Sequence, residues 1–186
     1  SILDNSNETN TKLILNSLRE GQPVPMEFFY NSDVGAIRWK NLCESADYLS
    51  YELSKKFIKN NSIDIFNKIG KNFFDNSLDI ISLGPGNGIK DGYFLKALLN
   101  YTKQENVNCY LFDISMKMLH IAAYNLKNHK EFSKLNERVK IQYIHSLFEN
   151  IYFSAEMIKD SESSKIYLLL GNTLGNTSQE IVFLNK

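Results

Sequence analysis

Leu78-Asp79-Ile80-Ile81-Ser82-Leu83-Gly84-Pro85-Gly86-Asn87-Gly88-Ile89-Lys90 is the stretch on which the reading of the fold turns. Leu78 to Leu83 is mostly apolar and short, the pattern of a buried strand. A turn with three glycines in five positions stops it. From Ile89 to Asn100 the spacing predicts a helix, with Phe94, Ala97, Leu98 and Tyr101 on one side. Strand, glycine turn and helix form the opening unit of a parallel α/β sheet.

The unit repeats downstream. Val107 to Phe112 reads as a second strand. Asp113-Ile114-Ser115 opens the next helix, with Ser115 as N-cap and Leu119, Ala122, Ala123 and Leu126 as its buried face. Val139 to Ile144 is a third strand, Leu147 to Met157 a crossover, and Ile166 to Leu170 a fourth strand ending at Gly171. Ser178 to Leu184 begins another helix. Right-handed connections leave few topologies. The expected strand order is 3-2-1-4, with ligand at the carboxyl ends where the order reverses.

Upstream the chain is mostly helix. Asn5 to Asn10 reads as a disordered lead-in. Thr11 to Glu20 predicts a short helix with Ile14, Leu15 and Leu18 on one face. Gly21 to Pro25 breaks it, and Met26 to Tyr30 is an aromatic, packed segment. Helices follow over Val34 to Glu44 and Asp47 to Lys59, the second with Leu49, Leu53 and Phe57 as its stripe. Ile63 to Ile69 continues helical. The expected division is an N-terminal helical segment over 1–75 and a Rossmann-like domain over 76–186.

The 186 residues are 43% hydrophobic and 12% aromatic, enough for a real core, and the formal net charge is zero. Without a basic surplus there is no long-range field to gather phosphate backbones, which argues against nucleic acid as a partner. No apolar run is long enough to span a membrane, and Ser1 to Asn10 is unlike a signal peptide, so a soluble, cytoplasmic protein is expected. Cys43 and Cys109 are far apart and form no metal or disulfide pattern. His120, His129 and His145 lack ligand spacing, so no metal is expected. Trp39 reads as core, and the charges from Lys127 to Lys140 as a solvated face.

Three places can carry chemistry. Gly84-Pro85-Gly86-Asn87-Gly88 is either an ordinary strand-to-helix turn or a loop that lets backbone approach a nucleotide-type cofactor; its place after the first strand favours the cofactor. The dinucleotide fingerprint G-x-G-x-x-G would need glycine where Ile89 stands. S-Adenosylmethionine carries no pyrophosphate and tolerates Ile89, so the loop fits the methyl donor better than NAD. Asp113 can accept both ribose hydroxyls of an adenosine, or serve as a helix-start acid. Gly171-Asn172-Thr173-Leu174-Gly175-Asn176 is a polar turn or a loop beside the reacting methyl group.

Together these pieces resemble the histidine-specific S-adenosylmethionine-dependent methyltransferases of the ergothioneine-pathway type. Phe28-Phe29-Tyr30-Asn31 with Val34-Gly35, then Asp47-Tyr48, then Leu83 to Lys90, and finally Leu169 to Asn176 look like the family's successive motifs. The last block is the most specific. The resemblance implies a Rossmann-like class I methyltransferase fold. It further implies that Tyr30, Gly84, Gly86, Gly88, Lys90, Asp113, Phe148 and Gly171 hold the cofactor, with Tyr48 and Asn176 at the amine substrate. The chain departs from the family with Ala46-Asp47-Tyr48-Leu49 for Pro-Glu-Tyr-Tyr, Ser50-Tyr51-Glu52-Leu53 for Thr-Arg-x-Glu, and Ser146-Leu147-Phe148 for Gly-Asp-Phe. Members of the family continue past Asn176, so a partial sheet is expected here, with the C-terminal part of the fold absent.

The expected function is methyl transfer from S-adenosylmethionine, leaving S-adenosylhomocysteine, to the amine of an amino acid such as histidine or a similar small amine. The alternative is a non-catalytic cofactor-binding module that needs a missing C-terminal half or a partner. In either case an exposed sheet edge can support a homodimer. An NAD-dependent enzyme is a third and weaker reading because of Ile89.

Overall fold

The computed structural model describes residues 7–22, 24, 32–74, 77–104, 106–147, 150, 158 and 163–171. Helix α1 spans Asn7–Arg19, α2 Asp33–Glu44 and α3 Leu49–Ile69, followed by a 3-10 turn over Lys71–Phe74. The α/β part then runs β1 (Leu78–Leu83), α4 (Ile89–Tyr101), β2 (Val107–Asp113), α5 (Met116–Asn128), a 3-10 turn (Lys130–Phe132), the short helix α6 (Leu135–Arg138), β3 (Val139–His145) and β4 (Ser164–Leu168).

The four described strands make one parallel sheet in the order β3-β2-β1-β4. This is the expected order, and it puts a reversal beside β1. Every residue of β1 is buried, as befits a central strand of a parallel sheet. Leu78 and Ile80 join the main core with Leu95 and Leu98 of α4 and Leu119 and Leu126 of α5. Ile81 and Leu83 point the other way, to Phe112 and Ile158. Ser115 caps α5 by accepting the Met118 N–H, and Leu119, Ala122, Ala123 and Leu126 are its buried face, as the sequence predicts.

Strand ends differ slightly from the sequence reading. β2 and β3 each run one residue further, because Asp113 still pairs with His145. β4 starts two residues earlier and stops at Leu168. Its first residues are polar but tied down: Ser163 Oγ donates to Asp79 Oδ2 at 2.6 Å, and Lys165 lies 3.9 Å from the same oxygen. Hydrophobic patterning misses a strand start held by a buried carboxylate.

The N-terminal helices bring larger corrections. α1 already starts at Asn7, so Asn7 to Asn10 is helical rather than part of a disordered lead-in. First-turn N–H groups need no intrahelical partner, so polar residues suit that position. In α3 the stripe Leu49, Leu53 and Phe57 is exposed, and the packed face carries Tyr51, Ile58, Ser62 and Phe66 instead. Two stripes compete on this helix. The one containing Phe66 wins because its ring meets Phe74, Phe94 and Tyr101 at 5.0–5.6 Å between centroids. Phe66 and Phe74 therefore share one core with β1 and α4. Leu15 and Leu18 of α1 are likewise exposed.

The stretch Lys127 to Lys140 is more than a solvated face. Phe132 and Leu135 are buried within it. Arg138 donates to the carbonyls of Leu99, at 2.9 Å, and of Gln104. Glu131 accepts from Lys59 at 3.1 Å and Tyr93 at 2.9 Å, linking α3 to α4. Among the described residues no helix is long and apolar enough to cross a membrane.

Candidate functional site

The carboxyl edge of the sheet collects the sequence motifs. Leu83 pairs with Phe112, and the Gly84 N–H extends that ladder by donating to the Phe112 carbonyl at 2.8 Å. Asp113 is the next and last residue of β2, so it ends the strand beside the glycine loop. On the other side of β1, Ser82 pairs with Leu168, which places Leu170 and Gly171 next to the same loop.

The loop turns through left-handed backbone at Gly88, φ 75°. A Cβ there would lie 2.8 Å from the Ala122 carbonyl oxygen and 2.9 Å from Ala122 Cα, both backbone of α5. Only glycine allows this approach, which a side chain could not survive without moving the helix. At Gly86, φ 57°, a Cβ would stand 3.2 Å from the indole Nε1 of Trp39. Trp39 is thus half-buried against the glycine loop, not core as its helical stripe predicts.

Asn87 locks the loop's shape. Its Oδ1 accepts from the Tyr51 hydroxyl at 2.6 Å and the Ile89 N–H at 3.2 Å, and its carbonyl accepts from Asn125 Nδ2 at 2.9 Å. Behind the loop, the buried Asp91 of α4 accepts from Ser82 Oγ at 2.5 Å, tying helix to strand. Burial pushes the Asp91 carboxyl above the usual carboxylate range, against that hydrogen bond.

Lys90, in the first turn of α4, is buried, and its Nζ donates to the Leu170 carbonyl. The ammonium also sits 5.3 Å from the centroid of the Tyr51 ring, within cation–π range. Burial lowers its pKa, and neighbouring Asp91 opposes that.

Asp113 is 8% exposed. Its Oδ1 accepts the Ser115 N–H at 2.8 Å. Burial pushes its carboxyl up to about 6, against hydrogen bonds from the Ser115 and Ile114 backbone. A raised pKa means that burial costs the ionised form more than these hydrogen bonds return, so further hydroxyl donors from a ligand would favour the carboxylate.

Tyr48 precedes α3 and stacks on Tyr51 with centroids 6.0 Å apart and planes 15° apart. Its other neighbour is Trp39, edge-on at 5.9 Å. The chain of rings Trp39, Tyr48 and Tyr51 therefore borders the glycine loop on the α2–α3 side. Gly84, Gly86, Gly88, Lys90, Asp113 and Gly171 lie along the carboxyl edge, and Tyr48 reaches it through its aromatic neighbours. Tyr30, Phe148 and Asn176 lie outside the described residues. Sequence reasoning missed Tyr51, Asn87 and Asn125, which hold the loop, and Asp91 with Ser82 behind it. Asn87 alone had a signal, its place inside the glycine motif.

These residues fit an adenosyl ligand on structural grounds. Gly84 and Gly86 are part-exposed in the loop while Gly88 packs against Ala122, and a buried carboxylate with a raised pKa ends the neighbouring strand. Among the described residues no three His, Cys, Asp or Glu side chains converge as a metal site would need. A family model described as histidine-specific, SAM-dependent methyltransferase matches residues 10–183. No curated protein and no solved structure matches the chain.

Proposed function

From the premise that this chain belongs to the histidine-specific, SAM-dependent methyltransferases, we propose that it methylates the amine of an amino acid such as histidine, or a similar small amine. That it is a SAM-dependent methyltransferase with a Rossmann-like parallel sheet follows from the family match and the strand order. The substrate and the residue roles are the proposal.

The observation that carries it is the convergence of three motifs on one sheet edge: the glycine loop after β1, Asp113 ending β2, and Gly171 beyond β4. Bound S-adenosylmethionine supplies an electrophilic methyl on its sulfonium, so the protein's task is mainly alignment. Gly84, Gly86 and Gly88 bring backbone against the cofactor. Asp113 takes the ribose hydroxyls, and Lys90 and Gly171 close the amino-acid end. Tyr30 and Phe148 complete the cofactor site. Tyr48 and Asn176 hold a neutral amine with its lone pair toward the methyl. The amine must arrive unprotonated, because an ammonium has no lone pair to attack with.

The test is transfer of isotope-labelled methyl by the full chain to a panel of amines that includes histidine. Label on the histidine α-amine is expected. Label only on an unrelated acceptor overturns the histidine assignment, and binding of S-adenosylhomocysteine with no turnover on any amine overturns the amine reading of this chain.

A further inference from the structure

We infer that Tyr51 is a positioning residue: from helix α3 its hydroxyl holds Asn87, and through Asn87 the glycine loop, in the shape that receives the cofactor. The inference rests on the reading of that loop as the cofactor site. It deepens that reading by assigning control of the loop to a helix that precedes the sheet.

The geometry is specific. Tyr51 and Asn87 are 36 positions apart, and their 2.6 Å hydrogen bond is buried. The acceptor, Asn87 Oδ1, also takes the Ile89 N–H at 3.2 Å. One oxygen thus receives a donor from α3 and another from the first residue of α4. From the opposite side, Asn125 of α5 fixes the Asn87 carbonyl at 2.9 Å. The residue between Gly86 and Gly88 is therefore gripped from three helices. Both neighbours are glycines with positive φ, which have the most backbone freedom to lose. A loop of this kind wanders unless something outside it holds it.

The Tyr51 ring is itself held in place. Tyr48 stacks on it and the Lys90 ammonium stands over it. Tyr51 is 7% exposed, and burial pushes its hydroxyl pKa up, so it stays a donor throughout the ordinary pH range. A tyrosine has few rotatable bonds, so a ring packed this way aims its hydroxyl with little entropy lost. The same contacts work in reverse: a ligand that orders the loop must tighten the docking of α3, since coupling between two sites is reciprocal.

The test compares the full wild-type chain with Tyr51→Phe, which keeps the ring and the Lys90 contact and removes only the hydroxyl. Amide hydrogen exchange reads the loop without any ligand. The expected result is about fivefold faster exchange at Gly88 and Ile89, the effect of one net hydrogen bond, with β1 and β2 amides unchanged. S-Adenosylhomocysteine affinity should fall by a similar factor, and Tyr51→Phe should add nothing further in an Asn87→Ala background. Unchanged loop exchange overturns the inference. So does faster exchange spread equally over β1 and β2, which would mean general loosening. If the wild type binds no S-adenosylhomocysteine, the cofactor reading fails, and the exchange pattern still decides whether Tyr51 holds the loop.

Discussion

The Lys90 ammonium donates to the backbone carbonyl of Leu170 and so joins the first turn of α4 to the residue before Gly171. One side chain thereby ties the loop after β1 to the loop after β4. Lys90→Met keeps an apolar stem but leaves that carbonyl without its charged donor. A loss of about 1 kcal/mol is expected, the net worth of one part-buried hydrogen bond. Urea denaturation of the two proteins measures it. Lys90→Arg should not restore stability, since the larger planar guanidinium does not fit the space in which a compact ammonium reaches the Leu170 carbonyl. An unchanged urea midpoint in Lys90→Met would contradict the tie.

Asp113 predicts a pH dependence of known sign. Its carboxyl is raised from 3.8 to about 6 in the fold. Between those values the folded chain holds a proton that the unfolded chain has released. This contribution to stability is complete below about pH 4 and is lost as pH rises through 6. At about 1.4 kcal/mol per pH unit the difference amounts to about 3 kcal/mol. Thermal unfolding should therefore show wild type losing stability relative to Asp113→Asn from pH 4 to pH 8. Ligand hydroxyls prefer the ionised carboxylate as acceptor, so S-adenosylhomocysteine affinity should rise over the same interval. A flat difference between the two proteins across that range would remove Asp113 as a buried acid.

Phe66 and Phe57 test which face of α3 is docked. Phe66 is fully buried among three aromatic rings, while Phe57 is 57% exposed. Phe66→Ala should cost about 3–5 kcal/mol. Phe57→Ala should stay within about 0.5 kcal/mol of wild type, as surface changes do. Denaturation midpoints for both variants read this directly, and a reversed ranking would mean that the stripe Leu49, Leu53 and Phe57 is the docked one.

That last contrast shows where the sequence was legible. The strand order followed from a run of short apolar segments and the handedness of their connections. Gly84 to Gly88 and Asp113 were readable because a parallel sheet sends every β-to-α turn to one edge. The docked face of α3 was not readable, because two apolar stripes share the helix and only the tertiary partners Phe74 and Phe94 choose between them. Tyr51 was hidden for the same reason. It lies on the face that periodicity passed over, in Ser50-Tyr51-Glu52-Leu53, where the chain also departs from the family pattern. Trp39 looked like core because its spacing is helical, and spacing cannot say that a glycine with no side chain stands opposite.

Calorimetric titration of S-adenosylhomocysteine into the wild-type chain and into Asp113→Ala tests most directly whether the glycine loop and Asp113 together hold S-adenosylmethionine. The expected result is one site per wild-type chain and at least about tenfold weaker binding in the variant, the loss that follows when hydrogen bonds to a charged group are removed. Equal affinity in the two proteins, or no binding to a folded wild-type chain, would contradict it.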